Sequence, residues 1–343
     1  MADFEIIQKQ LQDWTNRIPL VILGSGASVP YKLPSMWSLG EYIKDNITFE
    51  DADDILQFEL FKTILDRLGD LEATLHEVHL NSSITNQIVA KTWELVNKLD
   101  LEAYENFLND KSDFPLENLI KHLLYAAGNK LSIVTTNYDR LAEYAASFAN
   151  AFICNGFAQN YIGHYSQRIH LNNIPTLKGF EGQVNLWKVH GSLDWFKNRE
   201  EEYFNLPLRN SIPKNYKPTI ITPGASKYLE TQLEPFRTIF TQADNEIEAA
   251  KGYLCIGYGF NDIHVQPKLI TQIKKNKPII VITHKLTPKT KQAIIENKCK
   301  NYILMECAND NDTRIYSSSF NGELIVAGES YWSLGEYYKL IAN

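Results

Sequence analysis

Cysteine is scarce in this chain. Cys154, Cys255, Cys299 and Cys307 are dispersed, and none stands in a C-x-x-C pair. A structural zinc site takes its ligands from clusters at short spacing, so no zinc module and no other metal site is expected. Cys154 and Cys255 sit inside apolar strand-like runs, where a thiol packs as a small hydrophobic group. Long apolar runs are also missing. None approaches the ~18 residues of a membrane-spanning helix, so no membrane association is expected. The opening residues, Met1 to Gln8, carry charge in a helical pattern and do not resemble a secretory leader. With so few cysteines, the expected compartment is the cytoplasm. Positive charge is in deficit too: 34 Lys and Arg face 41 Asp and Glu, a net −7. A broad nucleic-acid footprint is therefore not expected. The lysines between Lys268 and Lys277 read as the solvated face of a helix.

What is present fits a large α/β protein. The 343 residues are 44% hydrophobic and 22% charged, enough for a sizeable core. Short apolar runs recur at Ile18 to Leu23, Leu131 to Thr135, Val184 to Val189, Thr219 to Thr222, Gly252 to Ile256, Pro278 to Thr283 and Tyr302 to Met305. Most are continuous rather than alternating, as in strands covered on both faces. Helical patterns separate them. The expectation is a Rossmann-like parallel sheet with helices on both faces.

Residues 38–128 differ, being almost wholly helical in pattern. Leu56 to Leu68, Ser82 to Leu99 and Pro115 to Ala127 read as helices, so the segment is expected to be a helical insertion in one domain spanning 1–343. Residues 329–343 are expected to form a C-terminal helix. Phe196 to Lys217 reads as a polar loop, and Asn309 to Gly328 as short strands or a hairpin. One hexapeptide occurs twice, Trp37 to Tyr42 and Trp332 to Tyr337. Its Ser and Glu stand three apart, which predicts two helix starts with capping boxes.

Four turns at strand ends carry possible chemistry. Gly24-Ser25-Gly26-Ala27-Ser28 follows the first run, where small residues let backbone approach a phosphate and amides attract it. It is not a full G-x-G-x-x-G, since Pro30 interrupts the pattern. Thr135-Thr-Asn137-Tyr-Asp139 ends the second run and reads equally as a turn capping a helix over Arg140 to Ala149. Val189-His190-Gly191-Ser192 offers an open histidine, a base near neutral pH or a structural hydrogen-bonder. Gly257-Tyr258-Gly-Phe-Asn-Asp262 is a second Gly-rich turn, with Asp262 placed to cap a helix. Each alone is weak. Together they lie at the strand edge where open α/β sheets hold ligands.

In this order the four turns resemble the sirtuin family, from about Leu20 to Thr283. The resemblance implies NAD as ligand. The first turn then holds the diphosphate, Asn137 and His190 flank the nicotinamide ribose, Asp139 lies near the carboxamide, and Gly257 and Tyr258 pack on the adenosine half. Thr283 and His284, at the end of a later strand, stand where a ribose or adenine edge is read. Protein-deacylating sirtuins carry two C-x-x-C pairs between the H-G motif and the second Gly-rich turn. This chain has no cysteine between His190 and Gly252.

With the T-T-N-Y-D motif and the helical insertion, the chain resembles the bacterial sirtuin-like group of antiphage defence. There NAD is the substrate, and its depletion stops infection. The size resembles that of the stand-alone subunit that works with a HerA-type hexameric ATPase. The implied enzyme is an NAD⁺ glycohydrolase, acting as a homo-oligomer with such a partner. The alternatives are an NAD-dependent protein deacylase or ADP-ribosyltransferase and a non-catalytic NAD-sensing subunit. A dehydrogenase would leave Asn137 and His190 unexplained.

Overall fold

The computed structural model describes residues 2–69, 71–109, 114–126, 130–158, 160–167, 178–222, 231–262, 265–309 and 311–342. The main sheet has nine strands, in the order β13-β12-β11-β10-β9-β1-β2-β5-β3. Here β1 is Leu20–Leu23, β2 Lys130–Thr135, β3 Ala151–Cys154, β5 Gly182–Lys188, β9 Tyr253–Ile256, β10 Ile279–Thr283, β11 Tyr302–Asn309, β12 Asp312–Ser317 and β13 Leu324–Val326. From β11 across to β3 every pairing is parallel. The last two strands add an antiparallel edge. This is the expected Rossmann-like α/β sheet.

The continuous apolar runs are explained by two-sided burial. Val21, Leu23, Leu131 and Ile133 face one core, packed under α1 (Ala2–Asn16), α6 (Pro115–Ala126), α7 (Leu141–Phe148) and α11 (Leu334–Ala342). Leu20, Ile22, Val134 and Cys255 face the other, under α8 (Phe236–Ala249) and α9 (Val265–Ile273). Strands buried on both faces need no polar alternation.

Between β1 and β2 run α2 (Met36–Asn46), α3 (Ala52–Leu68), α4 (Leu71–Glu77), α5 (Ser82–Asn109) and α6. The first three and the start of α5 enclose a small core of their own around Leu39, Phe61, Leu75 and Ile88. The far half of α5 joins the main core through Trp93, Val96 and Phe107. This helix runs ten residues beyond the expected end at Leu99, because Ala103 and Phe107 continue its apolar face and no breaker intervenes.

Two readings are corrected. Residues 196–217 are not one polar loop. They hold the end of β6 (Gly191–Lys197), β7 (Tyr203–Asn205) and the start of β8 (Lys217–Ile220). With β4 (Gly163–His164) these form a separate antiparallel sheet, so the run at Thr219 belongs there and not to the main sheet. Aromatic pairs such as Phe157–Trp195 seat that small sheet on the second core. The repeated hexapeptide also behaves differently in its two copies. Ser333 caps α11, accepting from the Glu336 N–H at 3.4 Å. At the first copy Ser35 is the cap instead, accepting from Ser38 N–H at 3.2 Å, which puts Ser38 inside α2.

Candidate active site

β1 is the switch point of the sheet. The chain leaves it toward β2 on one side and returns to β9 on the other, and ligands bind at such points beyond the carboxyl ends of the strands. A cavity of about 310 Å³ opens there. Its walls include Gly24, Ser25, Gly26 and Ser28 after β1, Asn137 and Asp139 after β2, His190 after β5, Gly257 and Tyr258 after β9, and Thr283 at the end of β10. Parallel strands bring all these turns to one edge. Two expected residues lie elsewhere. Ala27 faces a smaller pocket with Tyr31 and Leu141. His284 packs edge-on against Trp332, ring centroids 5.1 Å apart, and is exposed.

The two Gly-rich turns touch. Gly26 N–H donates to Gly257 O at 3.1 Å. Gly257 has φ +57°, and a Cβ there would stand 2.2 Å from Ala27 N. One at Gly24 would stand 2.5 Å from Gly257 O. Only glycine permits this contact. The same contact consumes donors. The amides of Gly24, Gly26, Ala27 and Ser28 all bond to backbone carbonyls. The first turn continues as two short 3₁₀ segments, Ser25–Ala27 and Val29–Tyr31, rather than an α-helix.

Ser28 joins the first turn to the second. Its hydroxyl donates to Asp139 Oδ2 at 2.7 Å and accepts from Asn137 Nδ2 at 3.0 Å. Asn137 Nδ2 also donates to Gly24 O at 2.9 Å. Both amide hydrogens are thus engaged, and Oδ1 is the group left as acceptor. Burial pushes the Asp139 carboxyl above its ordinary range, while the Lys188 cation and the Ser28 hydroxyl pull it down. Asp139 Oδ1 accepts from Leu141 N–H at 3.2 Å, so the helix-capping role read from sequence coexists with its place in the cavity.

Under this turn lies a buried polar layer that no local motif announces. Lys188, fully buried, donates to Tyr138 O at 3.2 Å, to Asp139 O, and to Glu143 Oε1 at 2.9 Å. Beside it Arg140 is held by Asp100 of α5, with Nε to Oδ2 at 2.9 Å and the Arg140 N–H to Oδ1 at 2.6 Å. Arg140 Nη2 also reaches Asn97 Oδ1 at 2.8 Å, and Tyr144 donates to Asp100 Oδ2 at 2.6 Å. These bonds fix the backbone that carries Asn137 and Asp139.

His190 is pinned by its main chain. Its carbonyl accepts from Ile221 N–H at 2.8 Å, and Gly191, at φ +85°, turns tightly against Thr219. The side chain is 9% exposed, and Nε2 lies 2.9 Å from Asp262 Oδ2. The approach is off the ring N–H direction, so it is an ion-pair-type contact rather than an aligned hydrogen bond. Asp262 Oδ1 accepts from Val265 N–H at 2.9 Å at the start of α9. The sequence reading gave Asp262 this cap and missed its second oxygen. It also missed the cavity roof, where the helical insertion contributes Leu39, Glu72 and Val96. Among the described residues no cluster of three or more His, Cys, Asp or Glu could hold a metal ion. Nor is any described helix long and apolar enough to cross a membrane.

The profile of the SIR2-like domain family matches residues 131–313, more than half of the chain. Curated proteins give no match. Among solved structures, a Sir2 homologue in complex with NAD is similar over 88% of this chain and 87% of its own, at 16% identity and a TM-score of 0.45. A mutant Sir2 homologue in complex with 2′-O-acetyl ADP-ribose is similar over 94% and 91%, at 15% identity and 0.45. A structure bearing on the mechanism and regulation of Sir2 enzymes is similar over 86% and 91%, at 15% identity and 0.43.

Proposed function

Since the chain belongs to the SIR2-like domain family, we propose that it hydrolyses NAD⁺ to nicotinamide and ADP-ribose. The observation that carries this reading is the convergence of Ser28, Asn137, Asp139, His190 and Gly257 on one cavity. Its volume of about 310 Å³ is in the range of small-molecule sites. NAD is a substrate here, not a resident cofactor.

The residues divide the work as follows. Gly24, Gly26 and Gly257 let the diphosphate approach backbone closely. Of the first turn's amides, the Ser25 N–H is the one with no acceptor among the described residues, so it and the Ser25 hydroxyl take the phosphate oxygens. Gly257 and Tyr258 pack on the adenosine half, and Thr283 meets its ribose edge. Asp139 accepts from the nicotinamide carboxamide. As the glycosidic bond breaks, positive charge grows on the ribose. Asn137 Oδ1 accepts a hydrogen bond from the attacking water and aims its oxygen at the anomeric carbon. His190 takes the proton, a step worth ~10²–10⁴-fold for a positioned base. The bond electrons leave with nicotinamide, and His190 returns its proton to solvent.

Two features support hydrolysis over protein deacylation. Where the sirtuin resemblance implies a zinc module after the H-G motif, this chain places the small antiparallel sheet of β6, β7 and β8. The helical insertion roofs the cavity. The reading extends to antiphage defence by NAD depletion, restrained through homo-oligomerisation and assembly with a HerA-type hexameric ATPase.

The test is nicotinamide release from NAD by the purified protein, alone and with that ATPase. Turnover is expected, and His190→Ala and Asn137→Ala are each expected to lower it at least ~10²-fold. Absence of turnover in every condition sinks the proposal.

A further inference from the structure

Asp262 reaches His190 from a different part of the sheet. His190 follows β5 and Asp262 follows β9, and β1 and β2 lie between those strands. Asp262 therefore spans the cavity from the side of the second Gly-rich turn to the side of the H-G motif. Both side chains are almost wholly buried, at 9% and 6% exposure. One carboxylate oxygen accepts from the Val265 N–H, and the other lies 2.9 Å from Nε2. Its main chain is held too, since Asp262 O accepts from Gln266 N–H at 3.1 Å.

We propose that Asp262 is the positioning residue of the reaction: it keeps the His190 proton on Nε2, so that the other ring nitrogen is the base. The inference rests on the NAD-hydrolysis reading for its kinetic arm alone. An imidazole used as a base must present an unprotonated nitrogen to the water. A buried carboxylate on the opposite nitrogen selects that tautomer, fixes the ring plane and stabilises the imidazolium formed on proton uptake. A loosely aligned contact in a free enzyme tightens when substrate fills the site. The step balances. Water gives a proton to His190 and bonds to the anomeric carbon, the bond electrons go to nicotinamide, and the imidazolium then loses its proton to solvent. The Tyr138 ring lies 6.5 Å from the imidazole, and the carboxylates of Asp139 and Glu72 line the same cavity. Among the described residues, Asp262 is the one acidic group within ion-pair distance of the ring.

Asp262→Asn is the informative variant. The amide oxygen can still cap Val265, and the NH₂ then turns toward Nε2. Nε2 must become an acceptor, and the proton moves to Nδ1. The same logic makes an Asp-to-Asn change behind a catalytic histidine cost up to ~10⁴-fold while leaving geometry intact. Nicotinamide release should fall in kcat by ~10²–10⁴-fold, with KM changed less than about threefold. Nitrogen-15 spectra of the imidazole should show Nε2–H in the parent protein and Nδ1–H in Asp262→Asn. Asp262→Ser, which keeps a capping oxygen without a negative charge, should also lose kcat and shows whether the loss follows the charge rather than the cap. An unchanged tautomer, or a variant with parental kcat, overturns the role of Asp262. If the parent protein releases no nicotinamide under any condition, hydrolysis fails as a function, and the spectra still decide the tautomer.

Discussion

Glu143 and Lys188 are buried together beneath the turn that carries Asn137 and Asp139. Burial raises the Glu143 carboxyl from 4.5 to about 7, and the Lys188 cation limits the rise. In the unfolded chain the group titrates at its ordinary value. Between those values the folded protein holds a proton that the unfolded chain has released, so stability falls as pH rises from about 4.5 to about 7. Below that window the contribution is fully present. Asp139, also raised by burial, acts with the same sign at the acid end. Urea unfolding at a series of pH values should show this loss, on the order of 1–3 kcal/mol, and Glu143→Gln should flatten it. None of this layer was legible in the sequence. Lys188 ends an apolar run and meets groups 45 to 50 positions away. Asn137 and His190 were legible because their signal is local: a polar residue at the end of a buried strand in a parallel sheet has one edge to occupy. Ala27 and His284 share that placement, but their side chains turn out of the cavity, a difference of direction that spacing does not encode.

Among the elements, α5 makes the decisive join between roof and sheet. Asp100 lies just past the end expected from periodicity, on the stretch that continues only because the apolar face persists to Phe107. Its carboxylate holds the Arg140 side chain and backbone and the Tyr144 hydroxyl. Asp100→Ala would leave the Arg140 guanidinium buried without its counter-charge. Such a break costs about 3–5 kcal/mol, and a drop of that size in the unfolding free energy measured in urea is expected. Nicotinamide release should fall with it, since Arg140 adjoins Asp139. The small antiparallel sheet is the element that sequence hid most fully. Three of its strands are only two to four residues long and β6 mixes polar with apolar residues, and tertiary packing of Trp195 and Phe157 rather than pattern holds them.

For the molecule as a whole, a ligand that binds only the folded state stabilises it in proportion to the logarithm of its concentration. On the proposed mechanism His190→Ala keeps the Gly-rich turns and lacks the base, so it is expected to bind NAD with little turnover. NAD at a hundred times its Kd should add about 2.7 kcal/mol, a rise of roughly 4 °C in melting temperature. A flat melting temperature across NAD concentrations would remove NAD as the ligand.

The cavity wall gathers residues from Gly24 to Thr287, with the roof threaded between β1 and β2. A chain still under synthesis presents the first Gly-rich turn and His190 long before β9 brings Gly257 and Asp262. No partial product of translation has the whole wall, so the cavity is complete only once β9 and β10 have joined the sheet.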